Sequence, residues 1–162
     1  MILTAFTIFH VTLSLVGIGS GFVVLYGLLA AKWSSGWNTL FLITTVATSV
    51  TGFFFPVHRF LPSHAVGILS LLVLGIAVAA RYRFHLAGAW RRTYVVTALI
   101  ALYFNVFVLV VQMFEKIPAL KALAPTQSEA PFKLTQLVVL VLFVLLTMRA
   151  AAKFHDKPLR AT

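Results

Sequence analysis

Two histidines, two amides and a threonine are the side chains in this sequence whose types and spacing could do chemistry. Thr7, His10 and Ser14 follow one another at steps of three and four, as do Thr44, Thr48 and Thr51, while Asn105 and Gln112 lie seven apart. On helices each set shares one face, the first continuing through Gly17 and Gly21 and the last through Ala98 and Ala101. All lie inside long apolar runs, where a polar side chain marks either a ligand site or a link between helices. As a ligand site, His10, Thr51, Asn105 and Gln112 line a polar cavity among the first four helices, covered by the segment from Glu115 to Lys133. As structure, the threonines bond their own helix carbonyls and the amides tie neighbouring helices together.

His10 and His64 carry a second chemistry. Two neutral imidazoles on different helices are the axial pair that a b-type haem requires. Against this, counting about 20 residues back from Ala31 puts His10 near the membrane surface, so a hydrogen-bonded interfacial histidine is the simpler expectation. No compact trio of His and carboxylate suggests zinc. The cofactor therefore stays unknown.

Several classes of activity are excluded by what is missing. The three acidic residues, Glu115, Glu129 and Asp156, all fall outside the apolar runs, so the carboxylate relay of an ion pump is lacking. The 162 residues contain no cysteine, which excludes disulfides, thiolate metal sites and thiol redox chemistry. No glycine-rich phosphate loop, nucleophile elbow or zinc-protease motif is present, and an enzyme is disfavoured.

The elements that must position these residues are five apolar stretches, running about Ile2 to Ala31, Asn38 to Phe55, His64 to Ala80, Thr93 to Phe114 and Leu134 to Arg149. At about 1.5 Å per helical residue each crosses most of a ~30 Å hydrocarbon core. With 61% apolar and 10% charged residues, the chain reads as an all-α integral membrane bundle of five transmembrane helices in a single domain. The first stretch has no basic leader and is too long for a signal peptide, so it is expected as a retained helix.

Lys and Arg give the orientation. Lys32, Arg81, Arg83, Arg91, Arg92, Arg149, Lys153, Lys157 and Arg160 fall on one face, against Arg59, Lys116, Lys121 and Lys133 on the other. The richer face is expected inside, which places the N-terminus outside and the C-terminus inside. Trp33, Trp37, Tyr82, Trp90 and Tyr94 then form an inner aromatic belt, with Phe53 to Phe55, Phe60, Phe114 and Phe132 on the outer side. The net charge of +10 is accounted for by this asymmetry and by anionic lipid headgroups, without nucleic acid.

Packing is also legible in part. Pro56 to Pro62 forms a tight connection, with Ser63 as the expected cap, that makes the second and third helices antiparallel neighbours. Gly17 and Gly21 predict a close helix contact within the bundle rather than a homodimer face. Leu137 to Leu146, with no small residue, suits a peripheral helix facing lipid.

The segments Thr48-Ser49-Val50-Thr51-Gly52-Phe53-Phe54-Phe55-Pro56, His64-Ala65-Val66-Gly67-Ile68-Leu69-Ser70 and Ala124-Pro125-Thr126-Gln127-Ser128-Glu129-Ala130-Pro131-Phe132 resemble those of small bacterial polytopic inner-membrane proteins to which no activity is assigned. The resemblance implies a location in the bacterial inner membrane and brings no functional residue with it. The function expected from the sequence is binding of a small apolar ligand or lipid from the outer side, or service as a subunit of a membrane assembly or homo-oligomer. The alternative is a redox protein that holds b-type haem or quinone near His10 and His64.

Overall fold

A computed structural model of the chain describes residues 2–56 and 62–154; His58, Arg59, Phe60, the Ser63 side chain, Lys157 and Arg160 lie outside what it describes. The described residues are helical, with no strand. Helix α1 spans Ile2–Leu29, α2 Ser35–Gly52, α3 Pro62–Val78, α4 Ala89–Lys116, α5 Pro118–Leu123 and α6 Ala130–Lys153. A turn of π-helix, Ala79–Arg83, extends α3.

Four of these helices, α1, α3 with its extension, α4 and α6, are long and apolar enough to cross a membrane. Helix α2 is as long as the shortest span needs, 18 residues, but carries more polar side chains. Its Asn38, Thr44, Thr45 and Ser49 are buried, so the polarity of α2 is spent inside the bundle. Thr44 shows how the interior accommodates it: its hydroxyl donates to the Leu40 carbonyl at 2.7 Å, one turn back on the same helix.

The helices run past the ends of the apolar stretches. Helix α4 begins four residues before Thr93 and takes in Arg91 and Arg92, because long basic side chains can reach outward from a helix end without breaking it. Helix α1 stops at Leu29, where the Lys32 amide donates back to the Gly27 carbonyl at 2.8 Å and Ala31 takes a φ of 53°.

Helix α1 packs against α2, α4 and α6, and α3 packs between α2 and α4. The expected contact between the second and third helices is present. Helix α4 is the most enclosed, contributing Tyr94, Val95, Ala98, Leu99, Ala101 and Leu102 to a core that also holds Leu28, Phe41 and Leu74. Helix α6 is the opposite case. Leu137, Val138, Leu140, Val141, Leu142, Val144 and Leu145 are all exposed, as expected of a helix whose outer face is solvated by lipid.

The glycine contact lies within the bundle. A Cβ on Gly17 would stand 3.3 Å from Thr44 Oγ1, and one on Gly21 would meet Phe41 Cε2 at 2.9 Å and press still harder on Leu102. Backbone and ring therefore meet where a side chain would intervene.

Candidate functional site

At the end of the bundle that carries His10, helices α1 to α4 part around a cavity of about 800 Å³. Its walls are mostly apolar, including Val11, Leu15, Phe104, Val108 and Leu109. Beyond Ile18 and Phe104 the interior closes: Phe41, Leu99, Leu102 and Tyr94 are at most 1% exposed and fill the space between the helices. The cavity therefore has a floor of packed side chains at about mid-bundle.

The polar residues singled out in the sequence divide by position. His10, Asn105, Gln112 and His64 line the cavity, and Thr7, Ser14 and Thr48 join them. Thr51 is one step behind: its Oγ1 lies 2.8 Å from His10 Nδ1, and its own hydroxyl reaches the Ala47 carbonyl at 2.7 Å. His10 is held further by an edge-on contact with Phe55, ring centroids 5.0 Å apart. His64 is stacked obliquely on Phe53 at 5.7 Å.

Asn105 makes one long bond, from Nδ2 to Thr45 Oγ1 at 3.4 Å, and among the described residues none bonds the Gln112 side chain. Both amides therefore keep hydrogen-bonding capacity that no neighbouring helix takes up. Gln136 of α6 does join helices, donating to the Phe107 carbonyl of α4 at 3.2 Å on a side away from the cavity, although its buried Oε1 has no partner.

The segment between α4 and α6 does not roof this space as expected. Glu115, Lys116 and Ile117 reach its rim, but the chain then folds onto another face of α4. There Ala124 is buried with Val110 and Phe114, and Gln127 Nε2 donates to the Val111 carbonyl at 3.1 Å. The reason is apolar: Leu120 and Phe132 find a surface on α4 that the rim of the cavity does not offer.

Three features are not legible in the sequence. Ser49 donates to Ser70 at 3.1 Å and joins α2 to α3, while the buried Thr48 Oγ1 has no partner. The spacing of Thr48 and Ser49 within a Thr/Ser-rich helix signals polarity but not which hydroxyl faces which neighbour. Arg81 counts among the charges of the richer membrane face, yet it is only 8% exposed. Its Nη2 donates to the Ser35 carbonyl at 2.9 Å and to Thr39 Oγ1 at 2.7 Å, and its guanidinium lies over Tyr82 at 4.8 Å and Trp33 at 5.4 Å. The π-turn at Ala79–Arg83 rotates this side chain inward. Tyr94, expected in an interfacial belt, is also fully buried and donates to Asn38 Oδ1 at 2.6 Å.

Among the described residues no group of three or more His, Cys, Asp or Glu could hold a metal ion. Comparison of the chain with protein-family models, with curated proteins and with solved structures finds no match.

Proposed function

We propose that this chain is a multi-pass protein of the bacterial inner membrane that takes up a small apolar ligand or lipid into the cavity at its His10 end. In this reading α2 spans together with the other four long helices, the N-terminus is outside, and the cavity opens toward the outer leaflet. The observation that carries it is the combination of an apolar space of about 800 Å³ with two unsaturated amides, Asn105 and Gln112, on its wall. Ligand sites are concave, largely apolar and carry a few convergent polar groups, and their volumes run from about 300 to 1,000 Å³. Asn105 supports the reading most directly, since an amide deep in a membrane bundle is costly unless something completes its hydrogen bonds.

The test is extraction. Protein purified in a mild detergent should release a stoichiometric small molecule or lipid detectable by mass spectrometry, and Asn105→Leu should release less. Recovery of bulk lipid alone, in the same proportions from both proteins, would overturn the proposal. Service within a larger membrane assembly or homo-oligomer is compatible with the exposed face of α6, and native mass spectrometry reads it in the same experiment.

A haem reading draws on one observation, that His10 and His64 line the same space. A visible spectrum of the purified protein decides it, with a Soret band required. Quinone would be recognised in the same organic extract by its ultraviolet absorption.

A further inference from the structure

We infer that the cavity selects amphiphiles whose head group donates a hydroxyl hydrogen bond, and that His10 Nε2 is the acceptor; the inference rests on the ligand-binding reading above. It follows from counting protons. Thr51 Oγ1 lies 2.7 Å from the Ala47 carbonyl oxygen and 2.8 Å from His10 Nδ1. Two oxygens that close require a hydrogen between them, and a threonine hydroxyl has only one to give. That hydrogen points at Ala47, so Thr51 meets His10 with a lone pair. His10 Nδ1 must then carry the imidazole proton, and the neutral ring is left with a bare lone pair on Nε2.

No described residue donates to that lone pair, while the ring itself is part of the cavity wall. The two nearest hydroxyls along its own helix are already committed. Ser14 gives its hydroxyl hydrogen to the His10 carbonyl at 2.8 Å, and Thr7 gives its own to the Leu3 carbonyl at 2.8 Å. Phe55 presents only carbon. The position is a fixed acceptor at the edge of an apolar chamber, its tautomer locked from behind by Thr51 in the way that an outer partner fixes a ligating histidine.

The chemistry that completes it is a hydroxyl on an apolar body. A phenol, a hydroquinone or a long-chain alcohol offers an O–H to Nε2 and hydrocarbon to Val11, Leu15, Val108 and Leu109. At Nε2 an ether, a quinone carbonyl or an ester of the same size presents a lone pair to a lone pair and forms no hydrogen bond there. Thr51 is a positioning residue in this scheme, acting through His10.

The experiment uses a matched pair of probes, 4-hexylphenol and 4-hexylanisole, titrated into the full chain in nanodiscs. The phenol should bind about tenfold more tightly than the ether, the ordinary worth of one hydrogen bond. His10→Phe, which keeps a ring in place, should abolish the preference for the phenol over the ether. Nitrogen-15 spectra of histidine-labelled wild-type protein at about pH 8, where imidazole is neutral, read the tautomer directly and independently of binding. The His10 signal, assigned by its loss in His10→Gln, should show a protonated Nδ1, and Thr51→Val should move that proton partly to Nε2. Equal binding of phenol and ether, or a wild-type His10 protonated at Nε2, overturns the inference and leaves the cavity reading standing. Binding of neither probe overturns both.

Discussion

Tyr94 and Asn38 show how single polar residues are tolerated in this interior. The tyrosine is fully buried, and its hydroxyl donates to Asn38 Oδ1 at 2.6 Å while Asn38 Nδ2 donates to the Ser34 carbonyl at 2.7 Å. Tyr94→Phe keeps the ring against Trp33 and removes only the donor. The stranded carbonyl should lower stability by about 1–3 kcal/mol, read as a lower midpoint of thermal unfolding in detergent. Asn105 should behave differently, because its one bond is long and its surroundings are a cavity. Asn105→Leu should change unfolding by less than about 1 kcal/mol while weakening uptake of an apolar fluorescent probe severalfold. A large loss of stability with unchanged uptake would identify Asn105 as a structural tie. The sequence made these amides visible because each interrupts an apolar run. It could not show that Gln136 ties α6 to α4 and Gln112 does not, since both are glutamines near helix ends and only three-dimensional neighbours tell them apart.

Among the elements, α1 offers the sharpest internal comparison. A Cβ on Gly21 would press on Leu102 and Phe41, whereas one on Gly19 would meet nothing within 4 Å. Gly21→Ala should therefore destabilise the bundle by about 1–3 kcal/mol, and Gly17→Leu by at least as much. Gly19→Ala should be neutral or stabilising by about 0.5–1 kcal/mol, because alanine is the better helix former. Differential scanning of the three variants checks the order. The connection before α6 has its own signature. Glu129 accepts bonds from the Thr126 hydroxyl at 2.8 Å and from the Thr126 and Ser128 amides at 3.2 and 3.0 Å. Slight desolvation raises its pKa, but these bonds, led by the Thr126 hydroxyl, outweigh it and hold the carboxyl below its usual 4.5. A folded pKa below the unfolded one contributes order that is complete above the unfolded value and fades as pH falls through the folded one. Amide protection factors at Thr126 and Ser128, corrected for the intrinsic pH dependence of exchange, should fall as pH drops across that acidic interval in the wild type, and be low on both sides of it in Glu129→Ala. Helix existence was legible from apolar length. Helix ends were not, because Arg91 and Arg81 lie outside the apolar stretches, yet one belongs to α4 and the other turns inward on a π-turn.

For the whole molecule the open question is which way it faces. The distribution of Lys and Arg predicts a cytoplasmic C-terminus, so a reporter fused after Arg160 should be active only in its cytoplasmic form. The chain has no cysteine, so single cysteines at Thr7 and at Trp37 can be compared directly. Thr7→Cys should react with an impermeant maleimide in intact cells, and Trp37→Cys only after permeabilisation; the reverse pattern would invert the topology.

The packed floor beneath the cavity limits traffic. With Phe41, Leu99, Leu102 and Tyr94 filling the bundle beyond Ile18, the chamber is a cul-de-sac with its entrance at the His10 end. An occupant taken up as proposed would have to leave by the opening it entered, so its departure would precede the next arrival. Under the proposed function the floor would bar passage across the bundle, and exchange would be paced by dwell time in the chamber.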